Sequence, residues 1–303
     1  MVRGYVPLLL LVAAIWGASF MFIKVAVDEI EPIPMIWMRL ILASLVLVPL
    51  LFVQLGLRPA LEGLRAGFWG FTFLGFANSA LPFSLIAWGE KHIDSSVAAI
   101  ANAPVPIFVA ILALRFRPSE RVTGLRLAGI CLGFVGVGVL TGFNSDGGWW
   151  GIAGTLAVVA AAGCYAVSNI FAAIRFSRVS PFVIVAGSSV TGALMLTPLA
   201  VFQLPSEMPS LKATSSLVAL GVLGTAIALL FFYRMLNRYG ASRAALVTYL
   251  IPLVAMVYGV TILDEPVRAN AVAGLVLILG GVAIGSGVVR FARGEAVPAA
   301  PHS

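Results

Sequence analysis

The sequence predicts an all-α membrane protein, with ten transmembrane helices in two inverted-topology five-helix repeats. The composition is the first observation: 61% of the 303 residues are hydrophobic, 10% are charged, and the mean hydropathy is +1.06. So little polar surface could not cover a soluble domain of this size. Apolar runs of roughly 18 residues or more recur along the chain, as transmembrane helices require. The two halves of the chain also match each other.

Turn sequences such as "EIEPIP", "NSDGG", "RVSP" and "DEP" separate the apolar runs and define ten spans. The predicted helices cover residues 5–27, 34–55, 66–89, 95–115, 122–142, 148–173, 180–203, 213–236, 241–262 and 267–290. The first repeat is residues 1–142 and the second 143–293. Residues 294–303, "GEAVPAAPHS", form a Pro/Ala-rich tail that we expect to be disordered.

The basic residues give the predicted orientation. Five of the 19 Lys and Arg residues fall on one side of the ten spans and the others on the opposite side. These five are Lys24, Arg39, Lys91, Lys212 and Arg268. The positive-inside rule makes the richer side cytoplasmic, with both termini on it. The net charge of +7 is therefore interpreted as topology and not as a nucleic-acid-binding surface.

An internal repeat points to function. Trp16 pairs with Tyr165, Pro32 with Pro181 and Pro49 with Pro198, all at the same offset along the chain. Pro106 pairs with Pro252 at a slightly shorter offset. Because each repeat holds five helices, the second copy must enter the membrane from the opposite side. Inverted repeats give secondary transporters two related conformations around a site near the membrane midplane.

Three stretches resemble one known family. They are "IWGASFMFIK" (Ile15–Lys24), the arginine of "MRLILA" (Met38–Ala43) and "NRYGASRAALVTYLIPLVAMVYGVTILDEP" (Asn237–Pro266). They resemble the drug/metabolite transporter superfamily, in particular its EamA-like ten-helix members, over roughly residues 5–290. The resemblance implies an inner-membrane carrier that exports small metabolites such as amino acids. "RFRPSERV" (Arg115–Val122) departs from the family pattern and is interpreted as a longer cytoplasmic loop.

Polar and aromatic residues inside the spans are the substrate-binding candidates, because hydrocarbon offers them no partner. They are Trp16, Phe20, Asn78, Asn102, Tyr165, Asn169, Thr248 and Tyr249, with Ser19 and Ser168 beside them. Pro82, Pro104, Pro106 and Pro252 would free carbonyl groups and act as hinges. The alternatives are helix packing for the aromatic residues and kinks needed only for packing for the prolines.

The charged candidates lie nearer the helix ends. Lys24 and Arg39 would by default snorkel to the headgroups. Alternatively they form a cationic vestibule for carboxylate-bearing substrates, or a gate that pairs with Glu90, Asp94 or Glu31. None of the 12 acidic residues reaches the midplane in this interpretation, and Glu90 and Asp94 come nearest to a proton-coupling acid. Facilitated efflux or exchange therefore fits as well as proton antiport.

The sequence lacks the residues that several other classes of function require. The sequence has no GxxxxGK[ST] motif, two histidines outside the spans, and Cys131 and Cys164 far apart. An intramembrane enzyme is therefore disfavoured, no cofactor or metal is expected, and a passive channel or exchanger remains the alternative to a carrier. We expect a small-molecule substrate and the lipid bilayer as partners. GxxxG spacings at Gly129/Gly133 and Gly281/Gly285 predict close helix packing at the repeat interface, with a homodimer through the same face as an alternative.

Overall fold

The chain folds into a bundle of helices. The computed structural model describes residues 4–116, 124–142 and 148–285, and these residues form helices and short turns without a β-strand. Seven helical segments are long and apolar enough to cross a membrane, and three more apolar helices are shorter. The long segments are Tyr5–Val27, Pro32–Leu55, Phe68–Glu90, Ser95–Leu112, Gly148–Arg175, Pro181–Gln203 and Leu211–Tyr239. The shorter ones are Leu127–Thr141, Val247–Ile262 and Ala269–Gly285.

The described part of the first half contains eight α-helices and one π-helix. These are α1 (Tyr5–Val27), α2 (Pro32–Leu55), α3 (Leu57–Ala66), α4 (Phe68–Leu74), π1 (Gly75–Ala80), α5 (Leu81–Glu90), α6 (Ser95–Asn102), α7 (Val105–Phe116) and α8 (Leu125–Gly142). Helix α3 lies where the sequence predicted a loop. The chain turns into it at Gly56, whose φ of 79° is readily available only to glycine.

The described part of the second half contains seven α-helices and a second π-helix. These are α9 (Gly148–Arg175), α10 (Pro181–Ala200) with a 3₁₀ turn at Val201–Gln203, α11 (Leu211–Ala219), π2 (Leu220–Ile227), α12 (Ala228–Tyr239), α13 (Ala241–Ala244), α14 (Val247–Ile262) and α15 (Ala269–Gly285). The hydroxyls of Ser180 and Ser210 cap α10 and α11 by accepting backbone N–H bonds.

Four predicted helices are therefore not continuous. The third and eighth are α-helical runs interrupted by π1 and π2, and the fourth breaks at Ala103 and Pro104. The ninth breaks at Ala245 and Leu246. Proline explains the break at position 104, because it has no N–H to donate. The π-helices carry no such sequence signal. The predicted end of the tenth helix and the "RFRPSERV" loop lie partly outside the described residues.

Glycine allows the closest contact between helices. A Cβ atom added to Gly129 on α8 would collide with the backbone of Gly285 and lie 2.9 Å from the carbonyl oxygen of Gly281, both on α15. Gly133 and Gly281 face each other in the same way. The predicted GxxxG packing thus occurs within one chain, and a homodimer through this same face would have to displace it.

The remaining contacts join helices of the first half to helices of the second half. Helix α1 packs against α11, α12 and α14, and α9 packs against α5, α6 and α7. Helices α2 and α10 pack against each other. The buried apolar core fills the spaces between these helices and includes Ile36, Leu40, Ile100 and Leu220. This arrangement brings the polar residues of α2, α5, α9 and π2 into the interior.

Candidate functional site

Arg39 lies in the interior of the bundle, with 5% of its surface exposed. Its Nε donates a hydrogen bond to the hydroxyl of Thr225 on π2 at 3.1 Å. Its guanidinium carbon lies 3.9 Å from the centre of the Phe83 ring on α5, which is a cation–π contact. The snorkelling prediction for Arg39 is therefore wrong: the side chain turns inward because aromatic and hydroxyl partners meet it there.

Tyr165, Asn78 and Ser168 lie on the side of this site formed by α9 and π1. The ring of Tyr165 stands edge-on to Phe83, with 6.3 Å between centroids. The Ser168 hydroxyl donates to the side-chain oxygen of Asn78 at 2.9 Å. Tyr165 and Arg39 thus both meet Phe83 on α5, and Asn78 lies on π1, which precedes α5. The neighbouring candidate Asn169 is exposed on α9, and Ser168 takes the inward position instead.

Trp16 occupies the equivalent place on α1. Its indole N–H donates to the Gly224 carbonyl in π2 at 3.1 Å, and its ring packs on Phe232 at 5.1 Å. A π-helix leaves carbonyl groups without their usual α-helical donor, and Trp16 supplies one. Phe20, one turn further, is 6% exposed and packs in the apolar core. Trp16 therefore supports π2 directly, and Phe20 contributes to packing.

The broken helices hold the remaining candidates. Pro104 lies in the turn between α6 and α7, Pro106 at the start of α7, Pro82 at the start of α5, and Pro252 inside α14. The side-chain oxygen of Asn102 is buried without a hydrogen-bond partner among the described residues. Thr248 and Tyr249 are half-buried at the start of α14, and Tyr249 packs on the main core. An unpartnered amide oxygen can accept a hydrogen bond from a solute.

Lys24 closes one end of the bundle. Its ammonium group donates to the backbone oxygens of Glu90 at 2.6 Å and of Ile93 at 2.9 Å. These carbonyls terminate α5, so the lysine binds the negative end of a helix. Lys24 thus binds protein carbonyls at a helix end, and its snorkelling to the headgroups stays a prediction. The Glu90 carboxyl is completely buried, and neither of its oxygens has a hydrogen-bond partner among the described residues.

Glu265 joins the two halves at the same end. Its carboxylate accepts hydrogen bonds from the backbone N–H of Ser95 at 2.7 Å, the N–H of Ser96 at 3.1 Å and the Ser96 hydroxyl at 2.7 Å. It caps α6 although it lies far away in sequence, between α14 and α15. Arg268 pairs with Asp94 beside this cap at 3.7 Å. We name the end of the bundle that carries Lys24, Glu90, Ser95 and Glu265 the Lys24 end.

Two exposed contacts extend this end. The Glu29 carboxylate accepts hydrogen bonds from the hydroxyl and backbone N–H of Ser210, at 2.5 and 2.6 Å, and these bonds lower the pKa of Glu29. Lys91 pairs with Glu31 at 2.8 Å. Of the predicted gate pairings, Glu31 and Asp94 therefore take Lys91 and Arg268 instead of Lys24 or Arg39.

The sequence did not single out several residues of this region. Phe83 is an ordinary apolar residue in the sequence, and only tertiary contacts bring it and the polar Thr225 to Arg39. His92 stacks on Trp150 at 5.3 Å and meets Trp88 edge-on at 4.8 Å. Partial burial, followed by the charges of Lys91 and Lys24, lowers the pKa of His92. For Glu265 the sequence offered one indication, because this residue pairs with Glu120 in the internal repeat.

An apolar groove lies apart from these residues. It has a volume of about 410 Å³ between α2 and α10, and it is lined by Trp37, Ile41, Val48, Val190 and Leu194, among others. None of the predicted site residues contributes to it. The polar side chains around Arg39 lie in a packed interior, and the midplane cavity that they were predicted to line stays a prediction.

With this geometry established, a family can be assigned. The model of the EamA-like transporter family matches residues 4–142 and 152–286. The chain belongs to the EamA-like transporter family. As predicted from the resemblance, it is a member of the drug/metabolite transporter superfamily and a multi-pass membrane protein, and its family indicates a transporter and not an enzyme.

Relatives of this EamA-like transporter extend over almost the whole chain. A protein of Archaeoglobus fulgidus named "Uncharacterized transporter" is 29% identical over 91% of this chain and 96% of its own. A Salmonella typhimurium protein named "Probable amino-acid metabolite efflux pump" is 29% identical over 91% of this chain and 93% of its own. A crystal structure with 20% sequence identity matches 93% of this chain and 96% of its own with a TM-score of 0.64, which supports the fold alone.

Proposed function

We propose that this chain is an inner-membrane secondary transporter that exports small metabolites, namely amino acids or related amphipathic solutes, by alternating access. It would do so with ten membrane-spanning helices in two inverted five-helix repeats. Relatives in Salmonella typhimurium and Escherichia coli carry the name "Probable amino-acid metabolite efflux pump", which supports the substrate class.

The packing of equivalent helices supports the inverted repeat. Trp16 meets Phe232 across α1 and α12, and its repeat partner Tyr165 meets Phe83 across α9 and α5. The two π-helices interrupt the third and eighth predicted spans. Each half thus places its first helix against the third helix of the other half. Two such units related by inversion can exchange conformations, which is the basis of alternating access.

The charge distribution supports the proposed orientation. At the Lys24 end three basic residues are engaged: Lys24 by carbonyls, Lys91 by Glu31 and Arg268 by Asp94. At the opposite end, Arg58 and Arg65 belong to the amphipathic helix α3, and Arg58 is exposed. Under the positive-inside rule the Lys24 end faces the periplasm, and both termini lie in the cytoplasm.

The buried guanidinium of Arg39 is the observation that carries the substrate class. A cation in the interior of a membrane bundle is expensive unless it serves a ligand or pathway. Only Nε of Arg39 forms a hydrogen bond with the described residues, and the terminal nitrogens carry four further N–H donors. A carboxylate fits these donors in a bidentate arrangement. The ring of Tyr165 and the amides of Asn78 and Asn102 offer apolar and polar contacts for the rest of a small solute.

The contacts at the two ends support a state that is closed at the Lys24 end. There, Glu265 binds α6 and Lys24 binds the end of α5, so both halves are joined. At the other end, Tyr5 on α1 donates to the Arg243 carbonyl at 3.0 Å, a contact with the second half. Helix α7 of the first half packs mainly against α9 and α15. We infer that this state opens to the cytoplasm between α7 and the α12–α14 region.

The test is export from bacterial cells. Mass spectrometry of the medium is compared for cells that express the wild type, Tyr165→Ala, Arg39→Gln and the control Arg58→Gln at equal membrane abundance. We expect carboxylate-bearing metabolites to accumulate with the wild type and the control, and to fall to the vector level with the other two. Equal accumulation with Arg39→Gln would contradict the assigned site.

Counterflow separates a carrier from a passive channel. Proteoliposomes are loaded with an unlabelled metabolite identified in the export experiment, and uptake of the labelled metabolite is followed. A carrier transiently concentrates the label because inward and outward steps share one site, whereas a channel only equilibrates it. Absence of this overshoot would favour the channel.

A further inference from the structure

Two buried acids lie at the Lys24 end. The surroundings of one stabilise a charged carboxylate, and those of the other do not. Glu265 is 8% exposed and accepts three hydrogen bonds at the N-terminus of α6. Backbone N–H groups and the positive end of a helix stabilise an ionised carboxylate. Glu90 is 0% exposed, accepts no hydrogen bond, and is the last residue of α5. The negative end of a helix disfavours a carboxylate there.

The cations near Glu90 are engaged with other atoms. Two hydrogen bonds from Lys24 go to the backbone oxygens of Glu90 and Ile93, and not to the carboxyl. Arg39 donates through Nε to Thr225 and stacks on Phe83. The backbone N–H of Lys24 approaches the carboxyl, but it lies inside α1 and forms no hydrogen bond with it. These positive charges attract the carboxylate only through space.

The other neighbours do not offset the loss of water. The nearby carboxylate of Glu265 opposes a second negative charge at Glu90. Helix α9 meets this part of α5 through Gly154 and Val158, which do not titrate. Asp94 is paired with Arg268, and His92 is stacked between Trp88 and Trp150. Burial of a carboxylate without donors is unfavourable, so these surroundings favour the protonated form.

We propose that Glu90 is a proton-binding site and that the Lys24 end closes only when its carboxyl carries a proton. When this end opens, water reaches the carboxylate, and a proton from that side binds it before the end closes again. The proton leaves toward the opposite side while the Lys24 end is still closed, and the charged carboxylate then favours release of α5 and α6 by Lys24 and Glu265. This inference rests on the proposed function: a solute that leaves at the Lys24 end is exchanged for a proton that enters there.

The protonation state can be tested without a substrate. Infrared spectra of the full-length protein in lipid vesicles are recorded between acidic and alkaline pH. We expect a protonated-carboxyl C=O band that persists at neutral pH in the wild type and in Glu265→Gln, and that is lost in Glu90→Gln. Glutamine resembles a protonated glutamic acid, and Glu90→Asp, which retains the band at a shifted position, serves as the second variant. The same band in wild type and Glu90→Gln would overturn the proposal.

Coupling is tested with vesicles that contain pyranine, a fluorescent reporter of internal pH. A mixture of amino acids is added outside, and proton movement is followed for the wild type, Glu90→Gln and the control Glu62→Gln, which is exposed on α3. We expect proton movement with the wild type and the control, and none above protein-free vesicles with Glu90→Gln. Proton movement unchanged in Glu90→Gln would overturn the coupling. A Glu90-dependent infrared band without proton movement in the wild type would support the proton site and contradict amino acids as the substrates.

Discussion

At the scale of the residue, the function of a polar side chain depends on its partners. Arg39 and Lys24 had the same prediction from the sequence, yet one stacks on an aromatic ring and the other caps carbonyls. Glu90 and Glu265 are both buried acids, and only one of them receives donors. Hydropathy and spacing could identify these residues as unusual, but they could not distinguish such pairs.

Substitution of Arg39 should weaken substrate binding even when the positive charge is kept. Arg39→Lys loses the planar group that stacks on Phe83 and donates bidentately. We expect an apparent affinity lower by about 2 kcal/mol, or roughly 25-fold, for a carboxylate-bearing solute. Concentration-dependent export measures this, and Arg58→Lys is the matched control. Wild-type affinity in Arg39→Lys would exclude a direct contact with the substrate.

His92 should remain neutral to a lower pH than a free histidine, whose pKa is about 6.5. Its lowered pKa in the fold means that the histidine stabilises the protein fully above the unfolded pKa, and that this contribution is lost as the pH falls. NMR titration of the imidazole in a His302→Gln background measures the pKa. Trp150→Ala should raise it toward the ordinary value, whereas Trp149→Ala, which lacks the stacking contact, should not. A wild-type pKa at or above the ordinary value would contradict the role of the stack.

At the scale of the element, helix geometry is decided by local chemistry and by neighbours together. Pro104 marks the break of the fourth predicted helix, and that could be read from the sequence. The segment "GFANSA" of π1 and "LGVLGTAI" of π2 have no comparable residue. In π2 a carbonyl receives its donor from another helix, because the Trp16 indole on α1 donates to Gly224 at 3.1 Å. A π-helix is stabilised here by tertiary contacts.

Helix α8 offers a matched pair of glycines. A side chain at Gly129 would collide with the backbone of α15, whereas nothing lies within 4 Å of a Cβ added at Gly138. We expect Gly129→Ala to destabilise the protein by about 1–3 kcal/mol because the helices must separate. Gly138→Ala should be neutral or stabilising by about 0.5–1 kcal/mol. Thermal unfolding of the purified protein measures both, and equal midpoints for the two variants would contradict this packing.

At the scale of the whole molecule, contacts between the two halves hold the Lys24 end closed. Glu265 from the second half caps α6 of the first half, and Lys24 binds the end of α5. The opposite end depends on contacts of Tyr5 with Arg243 and Tyr239. Both sets of contacts are formed in this structure. Opening of the Lys24 end requires the contacts of Glu265 and Lys24 to break, so weakening them should shift the population toward a state that is open at that end.

Removal of the Glu265 charge should open the Lys24 end. In a background of Cys131→Ala and Cys164→Ala, a Ser19→Cys probe lies buried on α1 below Lys24. We expect a membrane-impermeant maleimide added on the periplasmic side to label it faster in Glu265→Gln, because glutamine keeps only one oxygen acceptor for the three donors. Glu31→Gln, at an exposed ion pair, should leave the labelling rate unchanged. Equal rates in all three proteins would argue against Glu265 as part of the closure.

The sequence by itself determined the class of this protein. The features that show this are its apolar runs, the GxxxG spacings and the motifs at Ile15–Lys24 and Asn237–Pro266. They depend on residues close together in the chain, so they can be recognised from the sequence alone. Only the tertiary structure decided that Arg39 turns inward, that Ser168 and not Asn169 meets Asn78, and that Glu90 lacks a donor. The reason is physical: the energy of a buried polar group depends on the donors and charges around it, and here these come from helices far apart in the sequence.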